Sequence, residues 1–195
     1  MIIGLCGLIG SGKNTAAEYL MKEYGFISVS FAETLKDAAA CIFGWDRDML
    51  EGSTKEAREA REVKDEWWSE RLGFDVSPRY MLQFMGTEVM RDNLHPEIWA
   101  LATEKRILDF DGPADFVISD VRFPNEVDMI RRLYGRVWHI QRGPLPEWFG
   151  KNPEHIHPSE TAWNNEFFDA TIYNDGRIDQ LYGTVDVLLD NLPKA

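Results

Sequence analysis

Basic residues are in short supply: 21 Lys and Arg stand against 33 Asp and Glu, for a net charge of −12. Long polyanions are held by basic patches and stripes, so this balance argues against DNA or RNA as a partner. A mononucleotide is not excluded, because a few local cations and backbone amides override a distant field. Cysteine is scarcer still, limited to Cys6 and Cys41. Two thiols without zinc or redox spacing exclude a cysteine-built metal site and a disulfide framework, and read as buried free thiols in a reducing compartment. No apolar run approaches the ~20 residues of a membrane span. The first strand begins at once, leaving no room for a signal peptide. These absences together predict a cytoplasmic chain with no membrane partner.

What is present is ordinary in bulk and informative in detail. The 195 residues, 44% hydrophobic and 28% charged, suit one domain with a substantial core. The apolar run Ile2–Cys6 leads into Gly7-Leu8-Ile9-Gly10-Ser11-Gly12-Lys13-Asn14-Thr15, the strand, glycine turn and helix start of a phosphate-binding loop. Glycines let successive N–H groups point inward as an anion nest, the helix adds its positive end, and Lys13 supplies a mobile point charge. Gly7, Gly12 and Lys13 fit G-x-x-x-x-G-K, but Asn14 stands where Ser or Thr usually meets Mg²⁺. Three options stay open for Asn14: the metal through its amide oxygen, the metal through a water, or no metal contact. Thr15 is placed to donate to an α-phosphate.

Along the chain, periodicity predicts helix from Asn14 to Tyr24, strand from Phe26 to Phe31, and helix from Ala32 to Phe43 with Leu35, Ala38, Ala39 and Ile42 on one face. Glu51 to Arg71 is dense in charge and reads as a solvated helix, apart from Trp67-Trp68. Ser77-Pro78 is a helix start, and a second helix over Glu97–Leu108 directs Ile98, Leu101, Ala102 and Trp99 inward. Phe116–Asp120, Arg136–Gln141 and Ala170–Tyr173 are further strands, with helices near Val127–Leu133 and from about residue 177 to Asn191. Strand alternating with helix predicts an α/β fold: a five-stranded, mostly parallel sheet with helices on both faces. The segment Gly143–Asn165 has four of the nine prolines and little periodicity, the profile of a functional loop such as a lid.

Ligands of open α/β sheets bind at the carboxyl ends of the strands, which puts Asp120 and Arg122 on the edge that carries the glycine turn. A carboxylate there holds Mg²⁺, directly or through water, and a guanidinium grips phosphate with two bonds. The bland alternative is Asp120 capping the next helix and pairing with Arg122. Helical steps of four bring Gln83, Thr87 and Arg91 to one face, suited to a base edge and a phosphate, or simply to water. His155 and His157 lack a third ligand nearby and read as polar loop residues rather than a zinc site.

The ordered set of Gly7–Thr15, Phe31-Ala32-Glu33-Thr34-Leu35-Lys36, Ser77-Pro78-Arg79 with Leu82-Gln83, Gly86-Thr87-Glu88 and Arg91, Asp120-Val121-Arg122 with Asn125-Glu126, His157-Pro158-Ser159-Glu160 and Asn174-Asp175-Gly176 resembles the tailed-phage deoxynucleoside monophosphate kinases. The match spans nearly the whole chain and is weakest over Trp45–Val76. The resemblance implies one P-loop nucleoside monophosphate kinase domain over residues 1–195, with a helical substrate-binding insertion at 45–95 and a lid at 143–165. It implies transfer of the ATP γ-phosphate to a 5′-dNMP, giving dNDP and ADP, with Mg²⁺. ATP would meet Gly10, Ser11, Gly12, Lys13, Asn14, Thr15 and Asn174. The dNMP would meet Leu35, Lys36, Gln83, Thr87, Arg91 and Arg122. Lys13, Asp120, Arg122 and Arg142 would act at the transferring phosphoryl group, with Asp120 and Asn14 as metal ligands. A homodimer is compatible with the resemblance, although no heptad specifies one. The lid departs from the expected pattern, since 143–165 contains no arginine and only Arg142 stands at its threshold. Competing readings are a P-loop kinase of another phosphate-bearing acceptor such as dephospho-coenzyme A, and a non-catalytic nucleotide sensor, for which Asn14 is the argument.

Overall fold

The computed structural model describes residues 1–146, 149, 162–163 and 166–192. Its backbone divides into two units, Met1–Ser30 with Glu104–Ala195, and Phe31–Thr103.

The first unit is built on a five-stranded sheet: β1 (Ile2–Cys6), β2 (Ile27–Val29), β3 (Phe116–Val121), β4 (Arg136–Gln141) and β5 (Ala170–Tyr173). Their order is β2-β3-β1-β4-β5, and every neighbouring pair is parallel. Parallel strands need crossovers, and helices lie between β1 and β2, between β2 and β3, and between β3 and β4. The helices of this unit include α1 (Lys13–Tyr24), α8 (Pro124–Arg132) and α9 (Ile178–Asp190).

Alternation along β1 sorts the two faces. Ile3 and Leu5 join Ala16, Ala17 and Leu20 of α1 and Leu181 and Val185 of α9 in one buried cluster. Gly4 points the other way, toward α8, where a Cβ would lie 2.5 Å from Ile130 Cδ1. Only a glycine lets that helix approach so closely. Tyr19 stacks on Tyr182 at 4.0 Å, and Tyr19 and Tyr24 both donate to Asp186, which ties α1 to α9.

The second unit holds α2 (Glu33–Phe43), α3 (Arg47–Glu51), α4 (Lys55–Glu62), α5 (Glu66–Leu72), α6 (Pro78–Phe84) and a π-helical segment, Met85–Asp92; α7 (Ile98–Leu108) begins in it. Leu35, Ala39, Leu50, Leu82 and Trp99 form its core.

Several expectations are corrected here. The charged segment Glu51–Arg71 is not one helix: it runs from the end of α3 through α4 and α5, because Thr54 and Asp65 each cap a fresh start and Gly52 turns the chain with φ +68°. Trp68 is anchored by donating its indole N–H to the Phe43 carbonyl, whereas Trp67 is 53% exposed with Arg71 stacked on it. Ile42 and Leu101 are exposed, and Ala100 is buried beside Trp99, so the inward faces of α2 and α7 are narrower or rotated from the periodic reading. Cys6 is buried as expected, but Cys41 is exposed on the outer side of α2. The second strand is shorter, Ile27–Val29, and β3 runs one residue beyond Asp120.

Candidate active site

The glycine turn follows β1, the central strand of the sheet. Two of its glycines are required by what lies against them. A Cβ on Gly7, at φ +144°, would stand 2.2 Å from the Ile140 carbonyl of β4; one on Gly12, at φ +110°, would stand 2.4 Å from the Asn174 side-chain nitrogen. Asn174, just past β5 and buried, donates to the Ser11 carbonyl at 2.8 Å, and its own backbone N–H donates to the Gln141 carbonyl at 2.7 Å. The turn is thus held from one side by the ends of β4 and β5.

Lys13 opens α1 with its ammonium folded back into the turn, donating to the carbonyls of Gly7 (2.7 Å) and Leu8 (2.9 Å). The side chain is 9% exposed, so this is a positive charge stored at the loop rather than spread in solvent. Ser11 is buried beside it, and its hydroxyl has no hydrogen-bond partner among the described residues. A buried hydroxyl without a partner is costly unless a ligand supplies one. The first-turn amides of α1 also lack intrahelical acceptors, as at any helix start. Asn14 is exposed and Thr15 half-buried.

A cavity of about 210 Å³ opens beside the turn, lined in part by Leu8, Gly10, Ser11, His139 and Arg142. His139, on β4, stacks on Phe168 with ring centroids 5.0 Å apart and lies 5.1 Å from Trp163. Burial, and secondarily the nearby Lys13 charge, depress its pKa below the ordinary imidazole value, which favours the neutral ring. Burial likewise pushes the Cys6 thiol up to about 12, despite the opposing pull of Lys13. Neither His139 nor the holding role of Asn174 was anticipated. The available signal was polarity inside apolar runs, as in Val137-Trp138-His139-Ile140.

Asp120 lies on β3, next to β1, and accepts a hydrogen bond from the Ser30 hydroxyl at 2.7 Å. The start of α8 is capped by buried Glu126, whose carboxylate accepts from the backbone N–H groups of Arg122 (2.7 Å) and Phe123 (3.0 Å). Arg122 is thereby fixed at its backbone, directly after β3. Lys13, Asp120, Arg122, Arg142 and Asn174 all belong to the first unit.

Leu35, Lys36, Gln83, Thr87 and Arg91 belong to the second. The Gly86 position lies 3.0 Å from Leu35 Cδ2 when a Cβ is placed there, and the Trp99 indole donates to the Gly86 carbonyl at 2.9 Å. Lys36 is engaged by Glu51 at 2.7 Å, and its side chain is only 13% exposed. Burial alone would raise the Glu51 pKa, but its bonds to Lys36 and Arg47 hold it below the usual carboxylate value. The π-helical segment alters the expected face. A step of four overruns a turn in an α-helix and falls short of one in i→i+5 geometry. Gln83 is exposed, while Thr87 and Arg91 are half-buried. His155, His157 and most of the expected lid lie outside the described residues.

A parallel sheet of this order, with a lysine-bearing glycine turn after its central strand, defines the P-loop kinase class. Within that class the chain belongs to the deoxynucleotide monophosphate kinase family, whose model matches residues 47–185. It is 35% identical to a putative deoxynucleotide monophosphate kinase of Acanthamoeba polyphaga mimivirus, over 98% of this chain and 97% of that one. Against the deoxynucleotide monophosphate kinase of Enterobacteria phage T4 it is 24% identical, over 94% of this chain and 96% of that one. The structure of TT1252 from Thermus thermophilus overlays with a TM-score of 0.51 at 18% identity, covering 100% of this chain and 98% of the other, which is a likeness of fold alone.

Proposed function

We propose that this chain transfers the γ-phosphoryl group of ATP to a 5′-deoxynucleoside monophosphate, giving ADP and a dNDP. The observation that carries the reading is the buried Lys13 ammonium beside an unpartnered Ser11 hydroxyl in a glycine turn, in a member of this family. Both groups are satisfied by polyphosphate oxygens, and the lysine exchanges carbonyl partners for phosphate without leaving the turn.

The phosphoryl group passes in line from donor to acceptor, so the protein contributes position and charge rather than a covalent intermediate. Lys13 and the amides of Gly10 to Thr15 hold the β- and γ-phosphates. Arg122 and Arg142 neutralise charge on the acceptor phosphate and on the group in transit, joined by Arg91. No strong general base is needed, because the attacking phosphate oxygen is already ionised at neutral pH. Leu35, Gln83 and Thr87 recognise the remainder of the dNMP. Lys36 enters this role only by loosening its bond to Glu51.

Asp120 fits Mg²⁺: a single carboxylate at the strand end suits a cation that keeps much of its water and takes phosphate oxygens for the rest. Asn14 is the second candidate ligand. Held by these residues, Mg²⁺ would supply neutralising charge for the transferring phosphoryl group.

The test is ADP release with ATP and Mg²⁺ across all common dNMPs and NMPs. Release dependent on a dNMP supports the reading. Release with dephospho-coenzyme A alone moves the chain to another acceptor, and tight ATP binding without turnover of any acceptor makes it a sensor.

A further inference from the structure

Arg142 follows β4 directly, and the backbone on either side of it is gripped by two consecutive residues of the loop after β5. The carbonyl of Gln141, in the peptide leading into Arg142, accepts the backbone N–H of Asn174 at 2.7 Å. The N–H of Gly143, in the peptide leading out of it, donates to the Asp175 carboxylate at 2.5 Å. Gly143 has φ +66°, in the left-handed region that favours glycine, and its carbonyl accepts the Gln141 side-chain amide at 3.1 Å. Three hydrogen bonds therefore bracket one residue. Arg142 itself is exposed and, with Ser11, lines the cavity of about 210 Å³ beside the glycine turn.

Asp175 is not explained by the usual duties of an aspartate in this place. Before a glycine it commonly accepts from its own backbone two residues on, and before a helix it serves as a cap. The start of α9 is instead served by Gln180, whose side chain accepts the Arg177 N–H at 3.0 Å, while Arg177 pairs with Asp179. The Asp175 carboxylate reaches across 32 residues of sequence to a backbone N–H. Such a charge-assisted bond is roughly twice as strong as a neutral one. A negative charge one residue from Asn174, whose amide holds the glycine turn, repels a polyphosphate bound there. The bond to Gly143 is what offsets that repulsion.

We propose that Asp175 is a positioning residue for Arg142. By fixing the Gly143 N–H it sets the direction in which the chain leaves β4, and so keeps the arginine at the cavity that Ser11 also lines. Asn174 and Asp175 together register two parts of one lining: the first holds the Ser11 and Gln141 carbonyls, the second holds the far side of Arg142. Asp175 touches neither nucleotide and acts only through the arginine. Its kinetic consequence rests on the kinase reading, in which Arg142 meets the phosphoryl group in transit.

The experiment compares Asp175→Ala, Asp175→Asn, Arg142→Ala and the Asp175→Ala, Arg142→Ala double variant in the full chain, recording kcat, both KM values and melting temperatures. Asparagine keeps an acceptor oxygen where alanine has none. For Asp175→Ala the expected result is a fall in kcat of about ten- to hundred-fold with both KM values unmoved, the mark of a contact made only in the transition state. Asp175→Asn should recover most of the loss. In the Arg142→Ala background, Asp175→Ala should cost little more, because the two residues act as one unit. Equal losses in both backgrounds overturn the proposal, as does a lowered melting temperature with wild-type kcat. A second readout needs no turnover: modification of Arg142 by an arginine-directed dicarbonyl reagent, mapped by mass spectrometry with and without saturating ATP. ATP should slow the modification in wild type and Asp175→Asn but not in Asp175→Ala. The same protection in all three proteins, or none in the wild type, overturns the proposal. Absence of dNMP turnover by the wild type would defeat the kinase reading while leaving this protection to decide the role of Asp175.

Discussion

The side-chain amide of Asn174 reaches 2.8 Å to the carbonyl of Ser11, so the exit of the last strand holds the glycine turn by a single buried bond. Asn174→Ala removes the donor and leaves that carbonyl without it. The expected cost is about 1–3 kcal/mol of stability, with KM for ATP raised and KM for the dNMP unmoved. Denaturant melts and steady-state kinetics check it; an unchanged KM for ATP would show that the bond is structural only.

Lys13 is expected to be worth far more to turnover than to stability. Lys13→Met leaves the carbonyls of Gly7 and Leu8 without this donor and removes the charge proposed to meet the phosphates. Turnover should fall by about two to four powers of ten with the melting temperature shifted by only a few degrees. Near-normal kcat in a folded variant would refute the assignment.

His139 sets a pH dependence. Its folded pKa is depressed below the ordinary 6.5 by burial first and by Lys13 second. The unfolded chain therefore binds a proton at higher pH than the folded one does, and stability declines as pH falls from about 6.5 toward the folded value. His139→Phe should flatten the slope of melting temperature against pH between 7 and 5. An identical slope in wild type and variant would remove His139 from the account.

The two thiols should separate cleanly in a titration with an aromatic disulfide reagent. Cys41 is exposed and reacts in the native protein, while Cys6 is buried with its thiol pushed to about 12 and reacts only after unfolding. One equivalent native and two denatured is the expected count; two fast native equivalents would contradict the buried placement of β1.

Much of the sheet and its glycine turn could be read from the chain because both are local signals. Ile2–Cys6 followed by Gly7–Lys13 is a strand, a turn and a cation within thirteen residues, and the strand ends at Arg136–Gln141 and Ala170–Tyr173 coincide with expectation. What escaped depends on contacts distant in sequence. Asn174 was expected at the nucleotide, but its partner lies 163 residues away. Capping of the next helix was the alternative reading for Asp120, and it is Glu126 that reaches back to the amides of Arg122 and Phe123. In the second unit, periodicity favoured one long charged helix because i,i+4 pairs and helix caps use the same residue types; Asp46, Thr54 and Asp65 turned out to be caps. The π-helical segment Met85–Asp92 has no signature in residue spacing.

The placement of β1 has a bearing on synthesis. This strand is made well before its hydrogen-bonding neighbours, residues 116–121 and 136–139. Until those segments exist, Ile2–Cys6 is an apolar stretch with both edges open, and the turn after it has no Ile140 carbonyl to fold against. Folding is consequently governed by contacts of large sequence separation, which slows it. A nascent chain cut short before β4 cannot assemble the lysine cradle, so truncated products should be free of nucleotide affinity and prone to self-association through that first strand.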